Sequence, residues 1–318
     1  MTRRSFAIIG TGALGGFYGG LLARAGFDVH FLLRSDLEHV REHGLQVESK
    51  LGDFHLPHVQ AYGSAAEMPE CDVTILALKT TQNHLLDELL PPVTGRRGIV
   101  LVLQNGLCPE ADSAAIVGPD RVLGGVCFLC SNKVGPGHIR HLDYGRIVLG
   151  EHRVAEAPPA GITPRVAQLV EDLRSAGIDA HGSEDQWRAR WKKLMWNIPF
   201  NGLSVVLSAS TDTLIQIEPS AALAASLSEE VRAAAEACGR SIEREAVDEI
   251  MEHTRDMVPY DSSMRLDYLA RRPMEVEAIF GEPVRAAERA GFDPKQVRML
   301  YWQLKFLGSL NTSTESEY

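Results

Sequence analysis

The chain is expected to be an α/β protein, with a parallel sheet wrapped by helices in its first half and a mostly helical second half. Three observations predict this. Short apolar, β-branched runs alternate with helical segments over the first half; a glycine-rich turn follows the first of those runs; and beyond Ser183 strand-like runs give way to long helical periods. Length and composition agree, since 318 residues that are 45% hydrophobic and 23% charged can fill two cores and exclude a disordered or low-complexity chain. The two domains are placed at residues 1–183 and 184–318.

Taken in order, Ser5 to Ile9 reads as the first strand, Leu14 to Ala25 as a helix and Asp28 to Leu33 as the second strand. Asp72 to Leu78 and Gly98 to Leu103 are too hydrophobic for a sheet edge and fit central parallel strands. Between Arg121 and Gly150 the punctuation by Gly124-Gly125, Gly135-Pro136-Gly137 and Asp143-Tyr144-Gly145 predicts antiparallel additions to the sheet. Ala155 to Pro164, with three prolines, is a loop before a helix from Pro164 to Ala176. Further on, Ala221 to Ala237 and Arg265 to Ala290 keep a helical period, and the polar tail Asn311 to Tyr318 reads as a frayed end.

Charge and cysteine content narrow the partners. The 32 Lys+Arg against 42 Asp+Glu leave a formal charge of −10, the wrong sign for a nucleic-acid binder, so an anionic ligand needs a local cluster of cations. No apolar run approaches the roughly 20 residues of a membrane-spanning helix, and Met1-Thr-Arg-Arg-Ser5 leads straight into a strand-like run rather than a signal peptide. A soluble, cytoplasmic protein is expected. Five cysteines, an odd number, fit a reducing compartment. Cys127-Phe-Leu-Cys130 spells C-x-x-C inside a buried strand-like run with no second pair, and His39-Val-Arg-Glu-His43 spells H-x-x-E-H on a solvated segment with no further ligand. No metal is expected at either.

The turn Gly10-Thr11-Gly12-Ala13-Leu14-Gly15 fits G-x-G-x-x-G directly after a strand and at the start of a helix. In that context the first glycine allows the tight turn, the second lets a pyrophosphate reach the backbone, and the third lets helix and strand pack closely, with the helix N-terminus facing the anion. At the end of the second strand Arg34 presents a guanidinium suited to a 2′-phosphate, which favours NADP(H) over NAD. Asp36, two residues on, would serve NAD instead, or would belong to the first turn of the next helix. Lys79, beyond the next central strand, offers a second positive charge at the same edge or is simply solvated. Gln104-Asn105-Gly106 ends the following strand, where its amides either bond the nicotinamide-side ribose or the substrate, or form an ordinary Asn-Gly turn.

In the second domain, Lys193, Asn197 and Asn201 are spaced i, i+4, i+8 and so form one polar stripe on a helix, flanked by Met195, Trp196 and Phe200. The alternative is that the asparagines satisfy buried backbone groups and the lysine reaches out to water. Pro199 removes a helical hydrogen bond, which is expected to kink the helix and open a carbonyl near the stripe. Ser263 opens a later helical stretch, where it can be an N-cap, and Glu275 follows twelve residues on, where it can be a surface partner of Arg271 or Arg272.

Together the glycine turn with Arg34, Leu78-Lys79, Gln104-Asn105-Gly106, the Lys193/Asn197/Asn201 row and Ser262-Ser263-Met264 with Glu275 resemble the ketopantoate reductase (2-dehydropantoate 2-reductase) family, over nearly the whole chain from Ser5 to about Gly308. The resemblance implies an N-terminal Rossmann-type domain and an all-helical C-terminal domain, with NADPH reducing a small 2-oxo acid to D-pantoate. It also implies residue roles. Lys193 would be the general acid and carbonyl polariser, and Glu275 would bond the substrate hydroxyl or carbonyl. Asn197, Asn201 and Ser263 would hold the substrate. Arg34 and Lys79 would neutralise the 2′-phosphate, and Asn105 would lie near the nicotinamide ribose and the substrate. The adjoining Lys192 would exchange with Lys193 if the helix shifted by one residue. Two rivals stay open, a reductase of another small 2-oxo acid and an NADP-binding sensor without turnover. Apolar residues on the helical domain would allow a homodimer.

Overall fold

A computed structural model describes residues 3–312 of the chain. They fall into two compact units. One takes in the described residues up to Gln104 together with Pro109–Gln186; the other takes in Asn105–Cys108 together with the described residues from Trp187 onward.

The first unit is built on a ten-stranded mixed sheet. Its elements in chain order are β1 (Ser5–Ile9), α1 (Ala13–Arg24), β2 (Asp28–Leu32), α2 (Leu37–His43), β3 (Leu45–Ser49), β4 (Phe54–Leu56), β5 (Gln60–Tyr62), β6 (Val73–Leu76), α3 (Leu86–Thr94), β7 (Ile99–Val102), α4 (Glu110–Val117), β8 (Val122–Gly135), β9 (His138–Glu151), α5 (Pro164–Ser175) and β10 (Ala180–Gly182). The strand order is β4-β3-β9-β8-β7-β6-β1-β2-β5, with β10 on β9. From β5 to β8 every neighbouring pair is parallel. Alternation of side chains sends Phe6 and Ile8 into one apolar layer with Phe17, Tyr18 and Leu21 of α1, and Ala7 and Ile9 into another with Leu86, Leu90 and Val93 of α3. Both faces are therefore covered, which is why the central strands read as unbroken hydrophobic runs.

Two departures from the sequence reading occur in this unit. The stretch 121–150 reads as antiparallel additions, but β8 adds parallel to β7 through Val122, Leu123 and Gly124 on one side while running antiparallel with β9 on the other, each of the two strands being 14 residues long. The glycine punctuation does not cut these strands into pieces. It falls within β8, at the hairpin turn, and near register shifts that bend the ladder while keeping it paired. Also, β3, β4 and β5 lie in a stretch with no assigned strand, β3 and β4 at one edge of the sheet beside β9 and β5 at the other beside β2. Cys127 and Cys130 are buried on β8. Burial pushes the Cys130 thiol up to about 12, so it stays protonated and is a poor ligand or nucleophile.

The second unit is helical: α6 (Gln186–Val206), α7 (Thr211–Gln216), α8 (Glu218–Ala237), α9 (Glu245–Asp256), α10 (Ser263–Leu269), a π turn at Glu277–Gly281, α11 (Glu282–Arg289) and α12 (Lys295–Thr312). One apolar core holds it, with Trp191, Met195, Ile198, Phe200 and Phe280 fully buried, and Leu107 joins that core. The expected single stretch Arg265 to Ala290 is broken. Arg271 sits in the left-handed region at φ +54° and Pro273 follows, so α10 ends and a new helical segment starts after Glu275. Asn311 and Thr312 close α12, and the rest of the polar tail lies outside the described residues.

Candidate active site

The glycine turn has the features an anion needs. Gly10 lies at φ +101°, and a Cβ there would come 2.6 Å from the backbone nitrogen of Leu78; a Cβ on Gly15 would come 2.2 Å from the Gly10 carbonyl oxygen. Only glycine fits either place. Around Gly12, by contrast, a Cβ would meet nothing within 4 Å, so the turn is open on the side where a phosphate would approach. No side chain caps the N-terminus of α1 and no acidic residue stands in its first turn, which leaves its N–H groups and positive dipole end for an anion. Thr11 turns inward instead, its hydroxyl donating to the Leu32 carbonyl at 2.8 Å and tying the turn to the end of β2. Ala13 and Leu14 are the first residues of α1.

The end of β2 separates the two candidate cofactors. Arg34 is exposed and makes no hydrogen bond or ion pair among the described residues, so its guanidinium is available. Asp36 is not. It is buried, pairs with Lys133, and accepts from the Gly137 amide at 2.9 Å and from the Ser35 hydroxyl at 3.0 Å. Burial alone would raise its pKa, but those three partners outweigh it and hold the carboxyl below the usual range. A ribose 2′-hydroxyl would have to compete with an ion pair, whereas a 2′-phosphate meets a ready cation. Lys79 lies three residues past the end of β6, half-buried.

Next to β7 the chain divides its amides between the two units. Gln104 is held in the first, its Nε2 donating to the Asn83 side-chain oxygen at 2.7 Å. Asn105 belongs to the second, and there Lys193 Nζ donates to Asn105 Oδ1 at 2.7 Å. The bond joins residues 88 positions apart. Gly106 needs its φ of +102° and its missing side chain, because a Cβ would lie 2.4 Å from the Ala278 carbonyl oxygen. The Leu107 amide donates to that same carbonyl at 2.9 Å.

On α6 the expected stripe forms. Lys193 is half-buried, while Lys192 is exposed and faces Glu249 of α9 at 3.8 Å, so the register is unambiguous. Asn197 and Asn201 are only 4% and 2% exposed. Their side chains make no hydrogen bond among the described residues, yet none of their amide atoms is sealed from solvent. Asparagines that satisfied buried backbone groups would be bonded; these remain available. Pro199 does free a carbonyl, that of Met195 four residues back, but it does not open toward the stripe. The buried Ser228 hydroxyl of α8 donates to it at 2.6 Å.

Ser263 and Glu275 also lose their plainer readings. The cap of α10 is Ser262, which accepts from the Arg265 amide at 3.1 Å, so the half-buried Ser263 hydroxyl is not used for capping. Ser262 further bonds Ser204 at 2.8 Å, and Ser204 donates to the Asn201 carbonyl at 3.0 Å, fastening the start of α10 to the asparagine row. Glu275 is 7% exposed and is no surface partner of Arg272, which pairs with Asp267. It sits two residues before the π segment, and its carbonyl accepts from the Ile279 amide at 3.1 Å.

The sequence matches the family model described as ketopantoate reductase PanE/ApbA over residues 6–153, and the model for the C-terminal part of the same family over residues 185–308. It is 52% identical to a 2-dehydropantoate 2-reductase from a Nostoc species over 311 residues, 98% of this chain and 97% of that one. The chain belongs to the ketopantoate reductase family. Among solved structures it resembles the 2-dehydropantoate 2-reductase of Geobacter metallireducens (41% identity, TM-score 0.90, covering 95% of this chain and 99% of that one). It also resembles that of Methylococcus capsulatus (34% identity, TM-score 0.85, covering 97% and 98%). The N-terminal Rossmann-type domain and helical C-terminal domain are those of ketopantoate reductases.

Most of what positions Asn105 is silent in the sequence. The π turn at Ala278, the Ser204–Ser262 bridge and Arg190, whose Nη1 donates to the Gly106 carbonyl at 3.2 Å, were not singled out. Only Arg190 left a signal: a charged residue three positions before Lys193, hence on the same side of α6, followed at once by the apolar Trp191.

Proposed function

We propose that the chain reduces 2-dehydropantoate to D-pantoate with NADPH, the step that feeds pantothenate and coenzyme A synthesis, and that the residues above carry it. Residues 1–183 bind the cofactor and residues 184–318 bind substrate and provide the acid. Bound NADPH supplies the hydride to the keto carbon. Gly10, Thr11, Gly12, Ala13, Leu14 and Gly15 hold the pyrophosphate, and Arg34 with Lys79 hold the 2′-phosphate. As negative charge builds on the former keto oxygen, the Lys193 ammonium stabilises it and delivers the proton that completes the alcohol. Asn105 fixes the Lys193 amine and reaches the nicotinamide ribose and the substrate. Asn197, Asn201 and Ser263 grip the substrate's polar groups, and Glu275 bonds its hydroxyl or carbonyl.

The observation that supports this most is the Lys193–Asn105 bond beside two buried asparagines whose side-chain amides make no hydrogen bond among the described residues. A sensor without turnover has no use for an ammonium held in place next to such groups. The test is NADPH absorbance on addition of 2-dehydropantoate, against NADH and against a panel of other 2-oxo acids. Fast oxidation of NADPH by 2-dehydropantoate alone supports the reading. Equal or faster reaction with another 2-oxo acid reassigns the substrate, and no turnover with any removes the reductase.

The same reading places the protein in the cytoplasm. Among the described residues no helix is long and apolar enough to cross a membrane, and none of the five cysteines is in a disulfide. It also gives a homodimer. Met299, Trp302, Phe306 and Leu310, spaced 3, 4 and 4 residues apart on α12, leave an exposed apolar stripe that a second copy would cover. Light scattering that gives the 34.9 kDa monomer mass at micromolar concentration would rule the dimer out.

A further inference from the structure

We infer that Arg190 is a positioning residue for the proton donor, acting on Lys193 through the loop that carries Asn105. The inference rests on the reading of Lys193 as the general acid and deepens it.

Arg190 is only 4% exposed, an expensive place for a guanidinium, so what it bonds there deserves an explanation. One of its bonds is to a backbone carbonyl, that of Gly106, at 3.2 Å. The loop is caught at neighbouring points. Gly106 fits against Ala278 only without a side chain, Leu107 donates its amide to the Ala278 carbonyl, and the Leu107 side chain lies in the helical core. The residue just before this clamp is Asn105, whose Oδ1 receives the Lys193 ammonium. Arg190 and Lys193 stand three residues apart on α6, so one helical turn carries both the group that fixes the loop and the amine that the loop in turn orients. The closed path runs from Arg190 through the Gly106 carbonyl to Asn105 and back to α6 at Lys193.

Without the guanidinium, Gly106 loses a buried donor and the Asn105 amide loses its fixed approach to Nζ. A displacement of about 1 Å at a reacting group costs up to roughly a hundredfold in rate. Asn197, Asn201 and the glycine turn do not depend on this path, and Asn105, which does, is only one of several contacts proposed for cofactor and substrate. The loss therefore belongs in kcat rather than in the KM for NADPH or 2-dehydropantoate.

The experiment is a double-mutant cycle with Arg190→Met and Lys193→Ala, reading kcat, both KM values and the thermal melt. Arg190→Met is expected to lower kcat by about 10- to 100-fold with both KM values within about threefold, and to cause no further loss in the Lys193→Ala background, because the path it serves is already gone. Arg190→Lys keeps one donor for the carbonyl and is expected to recover part of the loss. If Arg190→Met does not yield folded protein, the cycle is run with Arg190→Lys, whose smaller loss must also vanish when Lys193 is alanine. An equal fold-loss in both backgrounds, or a kcat unchanged by either Arg190 variant, overturns the inference. Near-normal turnover of Lys193→Ala overturns the underlying reading instead, and so the two failures are told apart.

Discussion

The turn proposed to hold the cofactor and the helix proposed to offer the acid are built on opposite principles. At Gly10–Gly15 the work is done by what is missing. Two positions have no room for a Cβ, a third faces open space, and no side chain caps the helix behind them. At Lys193 the work is done by what has been brought in from afar, since the partner of its amine lies 88 residues earlier, just before two residues held by a π turn and a buried arginine. A site made of local sterics is legible in six consecutive letters; a site made of distant partners is not. The two sides should also respond differently to mutation, one losing cofactor affinity and the other losing rate.

The sharpest test of that contrast is Lys193→Ala. We expect kcat to fall by about 10²- to 10⁴-fold with NADPH affinity nearly intact, as measured by steady-state turnover and by cofactor titration. A parallel loss of NADPH binding would erase the distinction between the two sides. Next in size is Arg34→Asp, which removes the available cation at the end of β2. It should shift the NADPH/NADH preference by about 10- to 100-fold toward NADH, the worth of one or two charge-assisted bonds, with kcat on saturating cofactor little changed. An unaltered preference would mean that the 2′-phosphate is held elsewhere.

Asp36→Asn should act on stability rather than on catalysis. The Asp36 carboxyl is held below the usual range in the folded chain, so its contribution is present above the unfolded value near 4 and is lost as pH falls through the lower folded value. The variant should be less stable by about 1–2 kcal/mol at pH 7, and its melting temperature should fall less steeply than wild type below pH 4, which thermal denaturation across pH will show. The smallest effect belongs to Lys192→Ala. Its 3.8 Å pair with Glu249 is exposed, so less than about 1 kcal/mol and no change in kcat is expected. A large loss of rate there would mean that the helix register had been read one residue out.

What could be read in advance follows the same division. The alternation of strands and helices, the glycine turn, the cation after β2 and the polar row on α6 are all short-range patterns, and each is in place. That Lys193 shares a face with the two asparagines was legible because only it, and not Lys192, keeps the i+4, i+8 spacing. The fate of Asp36 was not, because its partners Lys133 and Gly137 belong to a hairpin about a hundred residues later. The plain readings of Ser263 and Glu275 failed for a related reason. A single sequence shows a serine before a helix and an acid near two arginines, but it does not show that Ser262 takes the cap or that Asp267 takes Arg272. The break in the expected helix after Leu269 had a local warning in Pro273, which the helical period on either side outweighed.

Pro199 of α6 and Ser228 of α8 stand on different helices, yet each makes sense only with the other, since the ring leaves the Met195 oxygen without an amide and the hydroxyl replaces it. Losing Ser228 alone would strand a buried oxygen at a cost of about 1–3 kcal/mol, whereas alanine at both positions would let the helix close its own ladder. An engineer wishing to straighten this helix should therefore change the two residues in a single step, and an intermediate carrying only the Ser228 replacement is the one to avoid.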